Sequence, residues 1–236
     1  MTADVVFLPR DVAATDFAGC TVVVLDVLRA TTSMAAALQA GVSEIRIFGD
    51  IQSAREAASA YCGPKLLCGE QACLPPPGFD LGNSPGAFSA EHAGKVLFMC
   101  TTNGTRAIVH ASGAPRLLIA AVVNARFVAR HLLECDGDVT FLCAGTDGQV
   151  SMEDVIGAGA VLDAMGEVMM LSDRARIARR LFRSCDNNLW QAFEEAAGGR
   201  NVIRAGLGRD VEFAARRDSI AVVGEVRANP LRVVRV

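Results

Sequence analysis

The chain has 236 residues, room for one substantial domain or two small ones. Hydrophobic residues make up 51% and charged residues 21%, too apolar a mixture for a disordered or tail-like segment. With 23 Lys and Arg against 26 Asp and Glu, the net charge of −3 argues against the basic stripe that nucleic-acid binding requires.

In chain order, apolar runs predict strands over residues 5–8, 21–26, 44–48, 65–68, 95–100, 116–122, 138–143 and 219–223. Between them, periodicity predicts helices over 32–39, 51–61, 124–133, 152–165 and 186–197. The strands read as continuous rather than alternating apolar runs, which predicts a largely parallel, mixed sheet covered on both faces. The expected fold class is therefore α/β, a three-layer α/β/α sandwich. No linker or repeat divides the chain, so a single domain over 1–236 is expected. The exception to the rhythm is 70–85, a long irregular stretch with three successive prolines at 75–77.

None of the apolar runs approaches the roughly 18 residues of a membrane span. Asp4 and Arg10 flank a short apolar run near the start, which does not read as a secretory signal. The eight cysteines include no Cys-x-x-Cys pair, and His92, His110 and His131 show no ligand spacing. Reduced, mostly buried thiols in a cytoplasmic protein are expected.

In open α/β sheets, ligands bind beyond the carboxyl ends of strands. Three strand ends here deliver hydroxyls, small residues and isolated charges. The first, 26–33, offers Asp26, Arg29 and three hydroxyls able to cap a helix; it suits a phosphate site as well as a plain Asp26–Arg29 ion pair. The second, 101–106, combines Thr101, Thr102, Asn103, Gly104, Thr105 and Arg106 as an anion cradle. Asn103-Gly104 is equally a hairpin signal, with 105–110 as a return strand. The third, 144–154, ends in Ser151 and Asp154 at capping-box spacing, or supplies carboxylates for Mg²⁺. Beyond it, Gly157-Ala158-Gly159-Ala160 gives a helix face without bulk, suited to close packing against the sheet.

At these residues the sequence resembles the 2-phosphosulfolactate phosphatase family, the ComB-type enzymes of coenzyme M biosynthesis. The matching stretches are Asp26-Val27-Leu28-Arg29-Ala30-Thr31-Thr32, Gly78-Phe79-Asp80-Leu81-Gly82-Asn83-Ser84-Pro85 and Thr101-Thr102-Asn103-Gly104-Thr105-Arg106. Weaker ones are Asn124-Ala125, Cys143-Ala144-Gly145, Glu153-Asp154, Asp210-Val211 and Asp218. They run in the family's order from about residue 22 to 218. One departure stands out: Gly69-Glu70-Gln71 replaces the family's usual Gly-Glu-Arg.

The resemblance implies a cytoplasmic, Mg²⁺-dependent phosphomonoesterase with a small anionic phosphoester substrate, no nucleic-acid or membrane partner, and a homo-oligomer, a homodimer suiting the apolar content. It implies catalytic roles for Asp26, Arg29, Glu70 and Asp80, and metal binding by Asp26, Glu70 and Asp154. Thr31, Thr32, Asn83, Ser84, Thr102, Asn103, Gly104, Thr105, Arg106 and Asn124 would bind substrate. A phosphotransferase on a related phosphoester, or a non-catalytic anion-binding protein of the same fold, remain the alternatives.

Overall fold

A computed structural model describes residues 2–167 and 170–236. Its strands are β1 (Thr2–Val6), β2 (Thr21–Leu25), β3 (Glu44–Phe48), β4 (Lys65–Gly69), β5 (Val96–Cys100), β6 (Arg116–Ala120), β7 (Val139–Cys143), β8 (Met170–Leu171), β9 (Gly224–Arg227) and β10 (Arg232–Arg235). Its helices are α1 (Ala30–Gln39), α2 (Ile51–Ala60), α3 (Gly104–His110), α4 (Ala125–Leu133), α5 (Met152–Ala164), α6 (Asp173–Cys185), α7 (Leu189–Glu195), α8 (Ala197–Arg204) and α9 (Gly208–Ala214).

All ten strands form one mixed sheet in the order β4-β5-β3-β10-β9-β6-β2-β7-β1-β8. Two parallel blocks, β4-β5-β3 and β6-β2-β7-β1-β8, are joined by the antiparallel hairpin β9–β10. Every residue of β5 and the last four residues of both β2 and β6 are buried, so helices cover both faces there. This is the expected three-layer α/β/α arrangement. β3 instead alternates, burying Ile45 and Ile47 while Glu44, Arg46 and Phe48 stay half-exposed.

The pairings make the two blocks run in opposite senses. A twist of roughly 20–25° per strand pair accumulates to about 80–100° over the four steps from β2 to β3. The blocks therefore cross rather than lie end to end, and α3, which follows β5, packs against β2 and α1.

The small-residue face of α5 does what its composition suggests. A Cβ on Gly157 would lie 2.6 Å from Val27 Cγ2, and one on Gly159 only 2.1 Å from the Ala178 carbonyl of α6. The first puts α5 against the turn after β2, and the second lets α5 and α6 cross in contact.

Several expectations are corrected. Residues 219–223 are not a strand: Ile220 N bonds Val123 O, Ala221 N bonds the Gln39 side chain, and Val222 O accepts from Asn124. The run is apolar because it is buried, and the strand begins only at Gly224. Residues 104–110 form α3, not the return strand of a hairpin. The 186–197 helix is broken into a short 3-10 turn and α7, and α8 starts at Ala197. All eight cysteines are free, but only Cys68, Cys100 and Cys143 are buried. Among the described residues, no helix is long and apolar enough to cross a membrane.

Candidate active site

The ends of β2, β4, β5 and β7 open onto one cavity of about 610 Å³. Its lining includes Asp26 and Arg29 after β2, Glu70–Leu74 after β4, Thr102 and Asn103 after β5, and Thr146 and Asp147 after β7. Asn83 and one face of α8, from Gly198 through Asn201 and Val202 to Ala205, complete the wall. That volume is within the usual range for a small-molecule site.

Asp26 sits at the start of two helices. Its Oδ1 accepts from Ala30 N of α1 at 3.3 Å, and its Oδ2 lies against Gly104, the first residue of α3. A Cβ on Gly104 would come within 2.6 Å of both Asp26 Oδ2 and Ala30 Cβ, so the approach requires glycine. Burial pushes the Asp26 carboxyl up to about 7; the charges of Glu70 and Glu153 add to the rise, while the Ala30 and Gly104 amides oppose it.

Behind Asp26 lie two more buried carboxyls. Asp154 accepts from Val27 N at 2.8 Å and from Gly145 N at 3.0 Å, tying the turn after β2 to the turn after β7. Burial, with the charges of Asp26 and Glu153, raises it well above the usual range. Burial also raises Glu153, whose Oε2 is buried without a partner. The predicted capping box fails here because Asp154 bonds these distant amides and Ser151 turns to Thr146 and Glu153.

Arg29 is 3% exposed and fixed on three sides: Nη1 lies 2.6 Å from Asp210 Oδ2 and 3.2 Å from Ser84 Oγ, and Nη2 donates to Cys73 O at 2.6 Å. The ion pair is thus with Asp210, not Asp26. A guanidinium has about five N–H donors, so some remain for a ligand. Glu70 braces the neighbouring loops, accepting from Thr102 N at 2.7 Å and Cys73 N at 3.0 Å.

Two tight turns with reciprocal backbone bonds rim the cavity. Gln71 and Leu74 bracket Ala72 and Cys73, and Thr146 and Gln149 bracket Asp147 and Gly148. All four central residues have positive φ, the conformation of type I′ turns. Asp147-Gly148 suits it; Ala72-Cys73 adopts it at a steric cost, held by the bonds from Cys73 to Glu70 and Arg29.

The structure brings Asp26, Arg29, Glu70, Asn83, Thr102 and Asn103 into the cavity wall. It sets others behind it. Thr31 bonds Asp26 N and O, Thr32 bonds Val27 O, Thr105 pairs with Thr101, and Ser84 bridges to Asp210. Their hydroxyls hold the turns instead of facing a ligand. Three expected site residues lie elsewhere. Asp80 is exposed and accepts from Leu67 N, Arg106 is exposed and reaches Gly49 O, and Asn124 is buried between Ala121 N and Val222 O. Sequence reasoning missed Asn201 and Arg204 altogether, because α8 carries no motif. Thr146 and Asp147 belong to the third strand end without a signature of their own.

Among the described residues, no three Asp, Glu, His or Cys side chains form a ready metal-ligand group. Asp26 and Glu70 nonetheless fit a cation that takes one or two carboxylates and completes its shell with water and substrate oxygens, as Mg²⁺ does. Their mutual repulsion, part of what raises Asp26, is what a divalent cation would relieve. Asp154, unlike Asp26 and Glu70, does not line the cavity; its two oxygens, like those of Glu70, each accept from a backbone amide.

Comparison with known proteins agrees with this geometry. The family model described as 2-phosphosulpholactate phosphatase matches residues 6–229. The chain belongs to this family. It is 38% identical over 237 residues to a probable 2-phosphosulfolactate phosphatase of Carboxydothermus hydrogenoformans, covering 99% of this chain and 97% of that one. Proteins of the same name from Symbiobacterium thermophilum (36% identical, 89% and 92% covered) and Deinococcus radiodurans (39%, 82% and 82%) are also similar. The 2-phosphosulpholactate phosphatase match spans every strand that delivers a residue to the cavity.

Proposed function

We propose that this chain hydrolyses 2-phosphosulfolactate to sulfolactate and inorganic phosphate with the assistance of Mg²⁺. The observation that carries the reading is the meeting of Asp26, Glu70 and Arg29 in one cavity from three separated segments, in a chain of this family. Asp26 and Glu70 would hold the cation, which when bound neutralises phosphoryl charge and orients the attacking oxygen.

The chain's own residues then have distinct tasks. Arg29, held in place by Asp210, Ser84 and Cys73 O, would present its remaining N–H groups to phosphoryl oxygens. Thr102, Asn103 and Asn83 would complete that cradle through hydroxyl O–H and amide N–H donors. In the reaction a water oxygen bonds to phosphorus, the ester P–O bond breaks, and the departing alkoxide gains a proton.

The test is phosphate release from 2-phosphosulfolactate by the purified protein, with Mg²⁺ and with EDTA. Release that is lost with EDTA and restored by added Mg²⁺ is expected. No release under any condition would leave an anion-binding protein, and transfer to an added acceptor without release would indicate a phosphotransferase.

A further inference from the structure

The charges lining the cavity do not balance for a substrate that carries acid groups beyond its phosphate. Asp26, Glu70 and Asp147 contribute carboxylates, against Arg29 and Arg204. The charge of Arg29 is already matched by Asp210 at 2.6 Å. A cation at Asp26 and Glu70 would serve the phosphoryl group and leave the rest of the substrate without a positive partner.

Arg204 is the guanidinium available for it. It is exposed, and among the described residues no carboxylate lies within salt-bridge distance of it. It stands in the last turn of α8, three residues after Asn201, so the amide and the guanidinium are neighbours on one helix wall. Gly198 and Ala205 keep that wall free of bulk. A planar guanidinium beside an amide suits the paired oxygens of a carboxylate or sulfonate.

We infer that Arg204, with Asn201 beside it, recognises the acid tail of the substrate and sets the preference for phosphoesters that carry one. This rests on the proposed phosphatase reading. The tail is a carboxylate or a sulfonate, and the two share this chemistry. α8 thus acts as a specificity wall facing the phosphoryl machinery built by β2, β4 and β5.

The test compares kcat/KM for 2-phosphosulfolactate, 2-phospholactate and isopropyl phosphate, which carry both acid groups, the carboxylate alone and neither. In Arg204→Gln the preference for 2-phosphosulfolactate over isopropyl phosphate should fall about 10- to 100-fold, mainly through KM, and Arg204→Lys should recover part of it. Which step of the substrate series loses most identifies the acid group read. An unchanged preference in Arg204→Gln, with the far-ultraviolet circular dichroism of the wild type, overturns the inference. Should the wild type release no phosphate, the phosphatase reading fails by itself. Arg204 is then judged by calorimetric binding of sulfolactate: at least tenfold weaker binding in Arg204→Gln supports it, and equal binding overturns it.

Discussion

Arg29 Nη1 and Asp210 Oδ2 stand 2.6 Å apart although 181 residues separate them in the chain. Both side chains are almost fully buried, and Ser84 Oγ donates to the same carboxylate oxygen at 2.7 Å. The pair joins the turn after β2 to α9 and sets the direction in which the guanidinium meets a ligand.

Removing one partner should be costly. Asp210→Leu leaves a buried guanidinium unpaired and should lower stability by about 3–5 kcal/mol. Replacing both partners, as in Arg29→Met with Asp210→Leu, should cost less than the sum of the single changes. Urea denaturation of the four proteins measures the coupling, and additive effects would show the pair to be energetically idle.

Asp26→Asn should separate stability from activity. A carboxyl raised from 3.8 to about 7 in the folded state holds its proton more tightly there than in the unfolded chain. Its favourable contribution is full below about pH 4 and is lost as pH rises towards 7. The variant escapes that loss, so it should be more stable than the wild type at pH 8, by roughly 2–4 kcal/mol, with the difference closing at acid pH. Turnover should fall by at least about 100-fold, and near-normal phosphate release would remove Asp26 from the active site.

The same shift predicts how the proposed Mg²⁺ activation should depend on pH. A proton on Asp26 competes with a cation at Asp26 and Glu70, so binding releases it. The Mg²⁺ concentration for half-maximal activity should fall as pH rises towards about 7 and level off above it. Titrating activity with Mg²⁺ across pH 5.5 to 8.5 checks this, and a flat profile would place the cation elsewhere.

Gly104→Ala tests the close approach of α3 to Asp26. The new methyl would meet Asp26 Oδ2 and Ala30 Cβ at 2.6 Å, and the backbone must retreat. A loss of about 1–3 kcal/mol in stability is expected, together with a marked loss of activity. Gly113→Ala, where nothing lies within 4 Å, serves as the control and should change neither. Thermal unfolding and phosphate release on both variants decide it.

The sequence was most legible where one chemical cause acted alone. β3 is bounded as its apolar run predicts, and β2, β4, β5, β6 and β7 differ only at their ends. α6 went unseen because five arginines interrupt its apolar positions, of which Ala175, Ala178 and Phe182 are buried. At the site, residue types at the strand ends pointed to Asp26, Arg29, Thr102 and Asn103, and the family resemblance gave roles to Glu70 and Asn83, while spacing alone could not reveal their partners. Neither Asp210 for Arg29 nor Val27 and Gly145 for Asp154 is implied by sequence distance, because the fold brings them together from different strands. Hydroxyls were over-read for the same reason: Thr31, Thr32 and Thr105 bond their own turns, a local use that a residue list cannot distinguish from ligand binding.

The β9–β10 hairpin is a keystone inserted late. Until residues 224–235 have been made, β3 and β6 each present a bare edge, and the halves that carry Thr102 and Asp26 have no hydrogen-bonded seam between them. Open edges of this kind invite pairing with other chains. Clipping the hairpin should therefore yield aggregates in place of a weakened enzyme, and assembly of the catalytic centre should wait for the slow, long-range closure of that seam.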